Sequence, residues 1–469
     1  MYRIARIVGI VVVIGIFLLG SASAEVTIKF WHAMSGERIE LLAGMAEEFN
    51  NTHEGITVEA QYIGSYNDTL NKTIAAFKAG DAPHVFQLYE IGTRSMIDGG
   101  MIVPVGDLAA KENFDWSDYI DVVLSYYTVD GKIYSMPFNS STPILFYNKS
   151  FFEKAGLDPN MPPDTWSQVR EMGQKIIDAG AAEYGITWNL HSWYFEQWHC
   201  VQNADLANNG NGRDAPATEV LITGEPTKKI MTWWTGLEKD KILLRLMTTD
   251  WSLHRKAFTS GQAAMMISST SDVTQMTKAF AEKGWDLGTG FLPRPDDVER
   301  QGVAIGGGTL WITDGHPQEE IDAAWTFLKW MSEPEQQVTW HKGTGYFAIR
   351  KSAIGLLEKE GWFTKYPNYQ VAFDQLLQTK PSTATQGALM GIFPSFRKAV
   401  QTAIQKVYEG KATIDEALAE AAAISNKELE QYNQIFDVQK AIDKVGKKVE
   451  KKVDEAAEKA KEGLKKALK

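Results

Sequence analysis

An α/β fold of at least two lobes is predicted by three observations. The chain has 469 residues, more than one hydrophobic core can serve. Its apolar residues switch repeatedly between a period of two and a period of about 3.6. Short apolar runs bounded by Pro and Gly mark strands buried on both faces.

The elements follow in order. Val26, Ile28 and Phe30 alternate and predict a strand. Leu41, Leu42, Met45 and Phe49 fall at helical spacing within 37–50. Ile56, Val58, Ala60 and Tyr62 alternate as a second strand, and Leu70, Ile74 and Phe77 place a helix over 66–79. The run His84 to Tyr89, between Pro83 and Gly92, predicts a buried strand. Strand, helix, strand, helix, strand is the pattern of an α/β sheet. A second such region begins after Pro137–Lys149, in which Ser140, Ser141, Thr142 and Pro143 precede the apolar run Ile144–Tyr147. Thr165 with Gln168 forms a capping box that opens a helix. Ala264–Ile267 reads as a short strand, Gly306–Gly308 as a flexible entry to the strand Leu310–Ile312, and 321–331 as an amphipathic helix.

Two end segments stand apart. Arg3 and Arg6 precede the apolar run Val8–Leu19 and the Ala22-Ser23-Ala24 site, the layout of a signal peptide over 1–24 cleaved after Ala24. Secretion to the periplasm is the expectation. At the other end, Val438, Ile442, Val445 and Val449, then Ala456 and Ala460, recur at alternating three and four. Residues 437–469 hold 11 Lys and 7 acids, a net of +4. This amphipathic, heptad-like helical tail leaves three readings open: a solvated single helix, self-association, or contact with a membrane surface.

Composition excludes several classes. A formal charge of −11 argues against nucleic acid as a partner. The 15 Trp, 16 Tyr and 21 Phe can fill a core and still line a cleft. Cys200 is the one cysteine, so no internal disulfide forms. Its neighbour His199 is badly placed to activate it, since adjacent residues rarely face each other. There is no G-x-S-x-G, Walker loop or H-E-x-x-H motif. The eight histidines are scattered, and no catalytic residue, metal or cofactor is expected.

What remains is a set of polar residues at strand ends, where open α/β sheets bind ligands. Glu90 closes the run His84–Tyr89, and Tyr66 opens a helix after Gly64-Ser65. Ser140 and Ser141 interrupt the central run, and Ser268 and Ser269 follow Ala264–Ile267. Such hydroxyls, with backbone N–H groups at Gly307, suit phosphate oxygens. Arg397, in FPSFR, offers an anion clamp.

The stretches EVTIKFWHAMSGE, GSYNDTL, FQLYEIGT, PFNSSTPILFYNK, AGLDPNMPPDTW, GGGTLWI and WHKGTGYFAI occur in this order. From Glu25 to about Phe436 the chain resembles the solute-binding proteins of ABC importers. PFNSSTP, YE-x-G and GTGY narrow the resemblance to the binding proteins for sn-glycerol 3-phosphate and glycerophosphodiesters. The resemblance implies a two-lobed periplasmic binding protein fold with ligand in the cleft between lobes; the C-terminal helical extension after Phe436 lies outside it. One lobe would be 25–138 with 306–343, the other 142–303 with 346–436. Crossings would lie at Pro137–Ser141, near Ala304–Gly308 and at Gly343–Ile349.

Tyr66 and Glu90 match the family positions that hold the glycerol end; Ser141, Ser268, Gly307, Tyr346 and Arg397 match the phosphate contacts. The family also stacks a Trp on the ligand, and the shifted spacing of GITWNLHSWYFEQW leaves both Trp188 and Trp193 as candidates. The implied function is capture of the solute by lobe closure and delivery to an inner-membrane ABC permease, with no bond broken. The alternatives are an oligosaccharide receptor of the same fold and, from another class, a secreted glycerophosphodiester hydrolase. The latter needs a metal cluster or an activated nucleophile.

Overall fold

The computed structural model describes residues 25–437. The predicted signal peptide and the heptad pattern from Val438 onward lie outside them. Two β-sheets organise the chain. The first has the order Ile56–Tyr62, Val26–His32, Val85–Tyr89, Gly306–Thr313 and Ile102–Val103, with Met136–Ser141 also paired to Gly306–Thr313. The second has the order Leu243–Arg245, Tyr184–Trp188, Ala263–Ser269, Pro143–Asn148 and Leu287–Gly290. In the first sheet the late strand Gly306–Thr313 runs antiparallel to its neighbours, and in the second the first strand, Pro143–Asn148, does; the other neighbouring pairs are parallel.

The helices form where the periodicity places them. Glu37–Thr52 buries Leu42, Met45, Ala46 and Phe49. Tyr66–Ala79 starts at a Ser65–Asp68 capping box and stops at Gly80 in the left-handed region. The Thr165–Gln168 capping box opens Trp166–Asp178. Gln318–Met331 begins one turn earlier than its apolar stripe, on Pro317. A further helical stretch spans 414–437. No helix among the described residues is long and apolar enough to cross a membrane.

The segment Met136–Asn148 links the sheets directly. Met136–Ser141 belongs to the first and Pro143–Asn148 to the second, and every residue of both strands is buried. Thr142 is the joint: its carbonyl accepts from the Thr270 N–H at 2.9 Å, and its own N–H donates to Thr270 Oγ1 at 3.3 Å. Gly306 and Gly307 pair with Ser141 and Ser140, and Phe347 bridges to Ser140 from the other side. Three passes of chain thus lie side by side where the sheets meet. The triple glycine is part of a strand rather than a flexible entry. Gly307 has φ +95°, and a Cβ there would overlap the Asn139 carbonyl oxygen.

Candidate functional site

The site grows out of these passes. Asn139 Nδ2 donates to Tyr66 Oη at 2.8 Å while Asn139 Oδ1 accepts from Gln87 at 2.7 Å. Tyr66 Oη is therefore an acceptor toward Asn139 and keeps its own proton for another partner. Its ring stacks on Tyr89, centroids 5.4 Å apart. Burial, then the neighbouring Tyr346 hydroxyl, push the Tyr66 phenol well above its ordinary value. Ser140 Oγ and Trp193 Nε1 are buried beside this hub without a partner. Buried polar groups are nearly always paired, so these two groups keep unspent hydrogen-bonding capacity at the seam.

Glu90 opens a short 3₁₀ turn at the end of Val85–Tyr89, as its strand-end position predicts. It faces Arg397 from the helix Phe393–Tyr408: Nη2 donates to Glu90 Oε1 at 2.8 Å. A second carboxylate takes more of the guanidinium. Arg397 Nε and Nη2 donate to Glu196 Oε1 and Oε2, both at 2.7 Å. All three side chains are at most 10% exposed. Burial works against the Arg397 charge, but Glu196 and then Glu90 outweigh it and hold the guanidinium protonated. Burial pushes the Glu90 carboxyl up, against the pull of Arg397. Formally, one positive charge meets two negative ones here. Arg397 is not the uncommitted anion clamp that the sequence suggests.

The hydroxyl of Ser268 is also committed. It donates to Asp272 Oδ2, and His254 Nε2 sits 2.9 Å from its oxygen. Ser268 is fully buried. The two Trp candidates separate cleanly. Trp188 belongs to an aromatic core with Trp198, Trp233 and Trp234, centroids 5.5 to 5.7 Å away. Trp193 instead lies against the second pass: a Cβ on Gly306 would stand 2.8 Å from its indole. Tyr346, 5% exposed, stacks on Trp340 and is fixed by His341, whose Nδ1 donates to the Tyr346 carbonyl at 2.7 Å. Ser141 is buried as the strand partner of Gly306.

Several site residues escaped the sequence reading. Glu196 lies in SWYFEQWHCV, a helix with all ten residues buried. A lone acid inside an aromatic run is a signal, because a buried charge demands a partner. His191, the N-cap of that helix, is driven down to about 3 by burial, then by Arg397 and His254. Asp272, at the end of the 3₁₀ turn Thr270–Asp272, takes ion pairs from Arg255 at 2.9 Å and Arg38 at 4.0 Å. Its pKa is lowered, because the two arginines outweigh burial.

Two other clusters carry no chemistry of this kind. Cys200 Sγ contacts the carbonyls of Glu196 and Ala384, and burial pushes its thiol up to about 12. A cavity of about 20 Å³ beside Glu90, Glu196 and Cys200 has room for one water rather than a ligand. Among the described residues, His84 meets the i,i+4 pair His316 and Glu320, a grouping that the distance of His84 in sequence hides. The Lys29 N–H donates to His84 Nδ1 at 2.9 Å, so the ring proton sits on Nε2, which faces Glu320 Oε2 at 2.9 Å. A nitrogen that carries that proton cannot ligate, so the group is an imidazole–carboxylate hydrogen bond.

Comparison with known proteins agrees with this architecture. Residues 44–371 match the family described as bacterial extracellular solute-binding protein. The chain is 32% identical over 432 residues to the sn-glycerol-3-phosphate-binding periplasmic protein UgpB of Escherichia coli K12, covering 90% of this chain and 96% of that protein. Its fold is similar to UgpB from Mycobacterium tuberculosis in complex with glycerophosphocholine: TM-score 0.71, 21% identity, 88% of this chain and 99% of that one. It is also similar to the GacH receptor of Streptomyces glaucescens, solved unliganded and with acarbose: TM-score 0.72, 20% identity, 86% and 98% coverage. The fold is the two-lobed periplasmic binding protein fold, and the three passes of chain described above lie where its two sheets meet. The chain belongs to the bacterial extracellular solute-binding protein family.

Proposed function

We propose that this protein is the periplasmic receptor of an ABC importer, and that it captures sn-glycerol 3-phosphate or a glycerophosphodiester for delivery to the membrane permease. One observation carries the reading. Ser141, Gly307 and Tyr346 lie on or beside the three adjacent passes of chain, Tyr66 is hydrogen-bonded to Asn139 of the first pass, and Glu90 is paired with Arg397. The name of the 32% identical E. coli relative supports the same ligand class. Trp193 is the stacking residue in this scheme, Trp188 supports the core behind it, and Ser268 acts through Asp272. The lobes are 25–138 with 306–343 and 142–303 with 346–436, and they close on the ligand.

The test is isothermal titration with sn-glycerol 3-phosphate, glycerophosphocholine and maltose. Tight binding of a phosphate ligand but not of maltose is expected. An oligosaccharide receptor is the second reading, favoured by one fact: Arg397 already has two carboxylate partners. Tight maltose binding with no phosphate response would establish it. Release of free choline from glycerophosphocholine would instead point to a hydrolase. Self-association through the tail is tested by sizing the protein with and without 437–469.

A further inference from the structure

The two ion clusters at the seam differ in sign. Around Arg397, one guanidinium faces two carboxylates. Around Asp272, two guanidinium groups face one carboxylate. We propose that the anionic group of the ligand is received at the second cluster, by Arg38 and Arg255, and that the Arg397 cluster receives hydroxyls. This inference rests on the phosphate-ligand reading above.

Position supports it. Arg38 lies on Glu37–Thr52, which flanks the first sheet, and Arg255 on Trp251–Thr259, which packs on the second. Arg38 Nη2 donates to the Ser271 carbonyl at 2.7 Å, and its guanidinium stands 5.2 Å over the Tyr346 ring. Arg255 stands 5.9 Å over Trp251. Tyr346 therefore joins this cluster to Tyr66 and the hub. The arginines reach the cluster from opposite lobes, so an anion held by both would tie closure to the charge of the ligand.

Donor capacity supports it as well. Asp272 is fully buried, but the side chains of Arg38 and Arg255 are 22% and 23% exposed, against 10% for Arg397. Each guanidinium has five N–H donors. Arg255 Nε is buried without a hydrogen-bond partner, and so is Asp272 Oδ1. Two guanidinium groups still carry more N–H donors than one carboxylate can accept, and a phosphate or other polyoxygen anion accepts several charge-assisted hydrogen bonds at once. The Arg397 cluster, with an excess of carboxylate oxygens, is instead matched to O–H donors.

The test is isothermal titration of the mature chain with sn-glycerol 3-phosphate, at low and high salt, for wild type, Arg38→Gln, Arg38→Lys and Arg255→Gln. Arg38→Gln should weaken binding about tenfold, the value of one charge-assisted hydrogen bond. It should also flatten the dependence of affinity on salt, while Arg38→Lys retains that dependence. Arg255→Gln should cost as much or more. Should Arg255→Gln fail to fold, Arg38→Gln decides alone, because it leaves the Arg255–Asp272 pair intact. A loss of about threefold or less in a folded Arg38→Gln protein with an unchanged salt slope overturns the inference. A wild type that binds no phosphate ligand overturns the underlying reading itself, and that is seen before any variant is made.

Discussion

The Arg397 cluster and the Asp272 cluster use the same residue types at the same seam and come out with opposite net charge. At the first, Glu90 and Glu196 share one arginine, and burial raises the Glu90 pKa. At the second, Arg38 and Arg255 share one aspartate, and its pKa is lowered despite full burial. The lesson is about counting partners. An arginine in a cleft is an anion site only if the carboxylates around it leave charge to spare.

The largest expected effect breaks the first cluster. Arg397→Met strands two buried carboxylates and should cost about 3–5 kcal/mol in denaturant-induced unfolding at neutral pH. Adding Glu90→Gln and Glu196→Gln should recover much of that loss. A loss below about 1 kcal/mol would place the group in solvent rather than in a buried network. Next comes the second pass of chain at the seam. Gly307→Ala combines a left-handed φ with overlap on the Asn139 carbonyl oxygen. It should destabilise by about 2–4 kcal/mol in the same assay.

The third prediction sharpens the comparison through pH. Glu90 has a raised folded pKa, so its charged form carries a penalty above that value. Stability is regained as pH falls through the folded pKa toward 4.5, and Glu90→Gln should abolish that gain. Asp272 runs the other way. Its stabilisation is present above its ordinary 3.8 and is lost as pH falls below it. Beside it, burial holds His254 down to about 4, so acidification from 6.5 toward 4 loads a proton on the unfolded chain first. That costs up to about 1.4 kcal/mol per pH unit, a slope that His254→Gln should remove. Unfolding free energies measured from pH 7 to 3 for these variants check all three signs. The smallest effect is Arg38→Gln on stability, under about 1 kcal/mol, because the side chain is partly exposed and 4.0 Å from its partner.

Much of this was legible in the sequence. Alternation placed the first two strands, a bounded apolar run the third, and the 3.6 period two helices. The strand-end position of Glu90 and the hydroxyls of Pro137–Lys149 pointed to the seam because polar groups set in buried runs need partners. The charge balance was not legible. Arg397 meets Glu196 and Glu90 from 201 and 307 residues away, and no local spacing encodes such a meeting. Gly306–Gly308 looked flexible because glycine usually is; here it is small so that Asn139 and Trp193 can come close. Trp188 and Trp193 could not be told apart until their neighbours were known. The acid in WYFEQW was readable as a buried charge that needs a partner.

The most direct measurement is a crystal structure with sn-glycerol 3-phosphate bound. The phosphate oxygens should lie within hydrogen-bond distance of Arg38 and Arg255, with the glycerol hydroxyls toward Glu90 and Arg397. A phosphate seated on Arg397, with Glu90 or Glu196 displaced from it, would contradict the account.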